Sequence, residues 1–105
     1  MSEGKLYNIG VIGAGMIAKV HMASLQKTGR ARITWLAARN PENLEKVRLE
    51  FNIPNKTTDY KEILKDPEVD VVLITTPPHL HKEMFMEAIK EGKNVLLEKP
   101  MAMNM

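Results

Sequence analysis

The chain is 105 residues long, with 15 Lys and Arg against 13 Asp and Glu, 44% hydrophobic residues and no cysteine. That length holds one compact domain, and the apolar and charged fractions argue against a disordered chain. A net charge of +2 gives no electrostatic ground for nucleic-acid binding, and the missing cysteine removes disulfides, thiolate metal sites and thiol chemistry.

No apolar run approaches the roughly 18–20 residues of a membrane span. Met1 to Lys5 runs directly into strand-like sequence with no signal peptide, so a cytoplasmic protein is expected. Tyr7 to Ile12 reads as a buried strand ending in Gly13-Ala14-Gly15. From Met16 to Thr28 the period changes: Ala18, Met22 and Leu25 share one helix face, and Gly29 stops the helix. Ile33 to Ala38 is a second strand. Asn40 suits the N-cap of the next helix, Pro41 its first position and Glu42 the positive end of its dipole. Leu44, Val47 and Phe51 form its apolar stripe, and Asn52-Ile53-Pro54 breaks it.

Lys56 to Thr58 reads as a very short strand and Tyr60 to Leu64 as a brief helix, closed by Asp66-Pro67. Asp70 to Thr75 is a continuous β-branched and Leu run, hence a strand, ended by Pro77-Pro78. His79 to Glu91 follows as a helix with Met84, Phe85, Ala88 and Ile89 on one side and Gly92 as its stop. Asn94 to Glu98 is the last strand, closed by Pro100. Alternating strands and helices imply right-handed crossovers, and apolar strands imply burial on both sides. The expected fold is an α/β doubly wound parallel sheet that stops one strand early.

Gly13-Ala14-Gly15-Met16-Ile17-Ala18 matches G-x-G-x-x-G/A between a strand and a helix. Gly13 permits the sharp turn, Gly15 lets a pyrophosphate approach the backbone, and Ala18 keeps the helix close to the sheet. Unpaired N–H groups at the helix start then face the phosphates. A tight turn without a ligand and a methyltransferase-like nucleotide site are the competing uses of such a turn. At the end of the second strand, NAD-binding versions carry a carboxylate for the ribose hydroxyls. Here that place holds Ala38, and Arg39 follows. Ala38 removes the charge that would repel a 2′-phosphate, and Arg39 offers it a planar fork of donors. Charge-assisted bonds of roughly 1.5–3 kcal/mol would favour NADP over NAD by about ten- to a hundred-fold.

Thr75 to His81 and Glu98-Lys99-Pro100 follow the fourth and fifth strands, at the carboxyl ends where open α/β sheets bind ligands. His79 and His81 suit helix capping or cofactor contact better than metal ligation, so no metal is expected. Glu98 can bind ribose hydroxyls, and Lys99 can supply positive charge or a proton beside a reacting carbonyl.

Taken together, Gly13–Ala18, Asp66-Pro67-Glu68-Val69-Asp70, Thr76-Pro77-Pro78-His79-Leu80-His81 and Glu98-Lys99-Pro100 give the chain its likeness to a known family. From about Tyr7 to Asn104 it resembles the N-terminal dinucleotide-binding domain of the glucose–fructose oxidoreductase, inositol 2-dehydrogenase and rhizopine-catabolism family. The resemblance implies a Rossmann-type fold, with residues 1–105 as a single NAD(P)-binding domain. It also implies a nicotinamide-dependent oxidoreductase acting on sugars, polyols or related carbonyl compounds. By motif position, Gly13, Gly15, Met16 and Ile17 would lie along the pyrophosphate and Arg39 near the adenosine end. Thr76, Pro77 and His81 would border the nicotinamide half, Glu98 its ribose, and Lys99 would reach the substrate as a catalytic or orienting residue.

There are departures from the family pattern. Ala38 replaces the acidic residue of NAD-using members, as in dihydrodiol-dehydrogenase-like members that use NADP. Pro78 stands where many relatives have Asn. The family's second, mostly antiparallel α/β substrate domain and the last strand of the sheet have no counterpart in these 105 residues. The expected cofactor is therefore NADP, with NAD as the alternative, and the expected activity is hydride transfer with little turnover by this chain alone. A non-catalytic dinucleotide-binding module or sensor subunit is the other reading. The fifth strand, as an unpaired edge, invites pairing with a second copy.

Overall fold

The computed structural model describes residues 6–76 and 78–97, except for the side chains of residues 78–81 and 97. Its elements are β1 (Tyr7–Ile12), α1 (Met16–Thr28), β2 (Ala31–Ala37), α2 (Pro41–Glu50), β3 (Asn55–Thr57), α3 (Lys61–Lys65), β4 (Val71–Ile74), α4 (Pro78–Lys90) and β5 (Asn94–Leu97). The described strands form one parallel sheet in the order β3-β2-β1-β4-β5. This is the expected doubly wound, Rossmann-like arrangement.

Alternation along the strands sorts the core into two layers. Ile9, Val11, Leu36 and Leu73 meet Ala18 and Met22 of α1 and Leu44 and Val47 of α2. Ile12, Ala37, Val72 and Ile74 meet Ile63 and Leu64 of α3 and Met84 and Ala88 of α4. The register between β1 and β2 slips between Ile9 and Gly10, so that Ile9 pairs with Ile33 but Gly10 with Trp35. That slip keeps Ile33 and Leu36 in one layer although three positions separate them.

Local chemistry accounts for the ends of the elements. Asn40 Oδ1 accepts from the Glu42 and Asn43 amides at 2.9 and 3.1 Å, which caps α2 with Pro41 at its first position. After α2 the chain turns through Asn52 at φ 54, a conformation Asn tolerates better than most side chains. Gly29, at φ 72, ends α1.

Some boundaries differ from expectation. β2 begins at Ala31 and ends at Ala37, and β3 covers 55–57 rather than 56–58. α4 starts at Pro78, since a proline's fixed φ suits the first helical position. Met84 and Ala88 face the sheet, but Ile89 does not share their burial. It lies about 100° further round the helix, with Phe85 half-buried on that flank and Ile89 49% exposed. Among the described residues, no helix is long and apolar enough to cross a membrane.

Candidate functional site

The strand order reverses between β1 and β4, and the crevice beyond their carboxyl ends is where such sheets bind ligands. Three strand ends are tied together there. The Gly13 amide donates to Ala37 O at 2.7 Å, while Thr75 donates to Ile12 O through its amide at 3.0 Å and its hydroxyl at 3.1 Å. Gly13 has φ 114, and a Cβ built on it would collide with Thr75 Oγ1. The first glycine of the motif is therefore required by the fold itself.

Gly15 is different. It is the N-cap of α1, in extended conformation, and a Cβ placed on it would meet no protein atom within 4 Å. Among the described residues no side chain caps α1, and its first turn holds no acidic residue. The first N–H groups of a helix have no intrahelical partner, so this end presents free donors and a positive dipole. At α2, by contrast, Asn40 occupies the amides and Glu42 adds a negative charge. Of these two helix starts, α1 is the one suited to an anion.

A cleft of about 750 Å³ runs from the glycine turn to the end of β2, within the range of small-molecule sites. Gly13, Ala14 and Gly15 line one part of it, and Ala38, Arg39, Asn40 and Asn43 another. The Arg39 side chain is exposed and has no hydrogen-bond or ion-pair partner among the described residues. Asn43 Nδ2 donates to Ala14 O at 3.1 Å, joining α2 to the glycine turn.

The opposite wall comes from Thr58 to Lys61, Thr76, Glu83 and Met84. Thr76 Oγ1 donates to Met84 Sδ at 3.4 Å, and the Tyr60 hydroxyl donates to Glu87. Burial, followed by the Glu87 carboxylate, pushes the Tyr60 phenol well above its ordinary pKa, so it stays protonated and serves as a fixed donor. Among the described residues, no group of three or more His, Cys, Asp and Glu could hold a metal ion.

The cleft brings together Gly13, Gly15, Arg39 and Thr76 of the expected site residues. Met16 and Ile17 form the exposed first turn of α1, beside the cleft rather than in its lining. His81 lies in α4, while Pro77, Glu98 and Lys99 fall outside the described residues. Sequence reasoning missed Thr75, Asn43 and Tyr60. Thr75 was visible in the Thr-Thr pair after β4, but Asn43 and Tyr60 reach the site only through the folding back of α2 and α3.

Residues 7–105 match the family model described as "Oxidoreductase family, NAD-binding Rossmann fold", GFO/IDH/MocA. The chain belongs to this family. Similar GFO/IDH/MocA-type relatives include levoglucosan dehydrogenase of Pseudarthrobacter phenanthrenivorans, 35% identical over 90% of this chain and 26% of that protein. Another is trans-1,2-dihydrobenzene-1,2-diol dehydrogenase of Mus musculus, 35% identical over 90% of this chain and 29% of that protein. Among solved structures, levoglucosan dehydrogenase in complex with NADH superposes with a TM-score of 0.86 at 32% identity, covering 91% of this chain and 28% of that one. The chain thus spans less than a third of the length of these relatives. As a GFO/IDH/MocA member it is an NAD-binding domain of Rossmann type. Its residues fit a dinucleotide: the Gly15 cradle would be filled by a Cβ, and among the described residues no side chain caps the α1 amides and none pairs with Arg39 in the cleft.

Proposed function

We propose that residues 1–105 form a single domain that binds NADP(H), with NAD as the weaker ligand, and that it serves an oxidoreductase acting on a sugar, polyol or related carbonyl or hydroxyl compound. The bound cofactor supplies hydride transfer at its nicotinamide ring. In this reading Gly13, Gly15, Met16 and Ile17 line the pyrophosphate, which the α1 amides hold. Arg39 binds the adenosine 2′-phosphate. Thr76, Pro77 and His81 border the nicotinamide half, and Glu98 binds its ribose. Lys99 is the catalytic residue, placing a positive charge or a proton beside the substrate's reacting oxygen.

The observation that carries this reading is that one cleft is lined by both the glycine turn and Arg39, which has no partner among the described residues, with Ala38 where a ribose-binding carboxylate would stand. The NADH-bound levoglucosan dehydrogenase supports nicotinamide binding and a sugar-like substrate. The choice of NADP rests on Ala38 and Arg39 alone. Calorimetric titration with both dinucleotides tests it. Arg39→Ala is expected to weaken NADP binding about ten- to a hundred-fold, the equivalent of a charge-assisted bond, and to leave NAD within about twofold. Tighter NAD binding by the native chain would reverse the assignment. The same samples, assayed for NADP reduction with a polyol panel, are expected to bind cofactor yet turn over little, because pocket walls beyond these residues orient the substrate.

A further inference from the structure

The cleft has two binding regions, the glycine turn and the end of β2, and one side chain joins them. Asn40 Oδ1 accepts from the Asn43 amide at 3.1 Å, and Asn43 Nδ2 in turn donates to Ala14 O at 3.1 Å. Ala14 is the residue between the two glycines of the motif, and its backbone has no helix or strand ladder to hold it. The C=O and N–H of one trans peptide point in opposite directions. Anchoring Ala14 O therefore fixes the plane of the Ala14–Gly15 peptide and the direction of the Gly15 N–H. A glycine turn without this anchor would sample more orientations, and ligand binding would have to order it.

We infer that Asn43 is a positioning residue for the diphosphate: it acts through the Ala14 carbonyl, holding the glycine turn in its binding conformation and in register with the Arg39–Asn40 end of the cleft. The inference rests on the dinucleotide-binding reading above and deepens it. Asn43 need not touch the cofactor. Its effect should therefore be confined to ligands that use the glycine turn.

Three ligands separate the regions: NADP carries both a diphosphate and a 2′-phosphate, ADP-ribose only the diphosphate, and adenosine 2′-monophosphate only the 2′-phosphate. Each is titrated calorimetrically into the native chain and into Asn43→Ala and Asn43→Asp. The aspartate variant keeps a side chain of the same size, and its charge in the first turn favours the helix, so it reports on a folded domain in which the donated bond is lost and a negative charge is added. The alanine variant lacks the bond without adding charge. Both variants are expected to bind NADP and ADP-ribose about three- to tenfold more weakly, the worth of one hydrogen bond, with adenosine 2′-monophosphate within about twofold. Unchanged NADP and ADP-ribose affinities in Asn43→Ala overturn the inference. So does an equal loss for adenosine 2′-monophosphate, which would mean a loosened α2 or direct contact with the adenosine phosphate. A native chain that binds none of the three ligands brings down the dinucleotide reading and this inference with it, whereas native binding with unaffected variants sinks the inference alone.

Discussion

Gly13 and Gly15 stand two positions apart in one motif, yet the structure gives them separate work. Gly13 combines φ 114 with a clash between any Cβ and Thr75 Oγ1. Gly13→Ala is therefore expected to destabilise the fold by about 1–2 kcal/mol from the left-handed backbone alone, with the Thr75 contact adding to it. Urea unfolding followed by circular dichroism reads that loss. Gly15 has φ −84 and open space at its Cβ position. Serine is a favoured N-cap in that conformation, so Gly15→Ser should hold or raise stability. In the proposed function its side chain would nevertheless stand where the diphosphate approaches. Dinucleotide affinity should fall by at least about tenfold, since a displaced phosphate loses charge-assisted bonds of about 1.5–3 kcal/mol each. An unchanged affinity in Gly15→Ser would remove the phosphate from the glycine turn. The motif was legible in sequence because glycine spacing encodes backbone geometry directly. The Asn43 bond to Ala14 was not, because it joins residues 29 positions apart through the packing of α2.

At the scale of elements, periodicity and punctuation carried most of the information. α1 runs from Met16 to Thr28 as its pattern predicts, and Asn40 caps α2 with Pro41 behind it. The misplaced positions lie where tertiary context decides. Ile89 satisfies the apolar pattern of α4 but turns away from the sheet. Lys93 would be expected in solvent, yet it is 8% exposed and donates to Asp66 O at 2.6 Å and Val69 O at 2.9 Å, closing the loop before β4. Trp35, in β2, donates its indole N–H to Asp66 at 2.8 Å and does not line the cleft, so its fluorescence reports on the α3–β4 corner.

α2 is fastened to β3 by Glu45, which accepts from Arg48 at 2.8 and 2.9 Å and from Lys56 at 2.7 Å. The Arg48 hydrogen bonds, then that of Lys56, lower its pKa from 4.5 to about 2. A carboxyl group depressed in the folded state stabilises above its unfolded value, and that contribution disappears as pH falls through the folded one. The denaturation midpoints of the native chain and Glu45→Gln should therefore differ near neutrality, draw together as pH falls from 4.5, and converge near pH 2. Because the group is exposed, the difference should be small. Parallel curves across that window would show that the network adds no stability.

For the whole molecule, the order β3-β2-β1-β4-β5 follows from the alternation of elements and the handedness of crossovers, and it sets the cleft at the reversal between β1 and β4. The sequence pattern also makes the fifth strand an unpaired edge. Among the described residues, β5 pairs only with β4, so its outer N–H and C=O groups have no strand beside them. Leu96 is 46% exposed, on the face of β5 opposite the one whose Val95 packs against the layer of Met84 and Ala88. An unpaired parallel edge that carries an exposed apolar side chain is a template for another strand. Two copies of the domain are therefore expected to associate along β5, with the scattering mass rising from monomer toward dimer as concentration increases. Leu96→Lys places a charge on that edge, the means by which natural edge strands avoid pairing, and should restore the monomer at every concentration. It should leave dinucleotide affinity unchanged, because Leu96 does not line the cleft. A native chain that remains monomeric throughout would show that β5 does not pair between copies, whereas a dimer untouched by Leu96→Lys would move the contact to another surface.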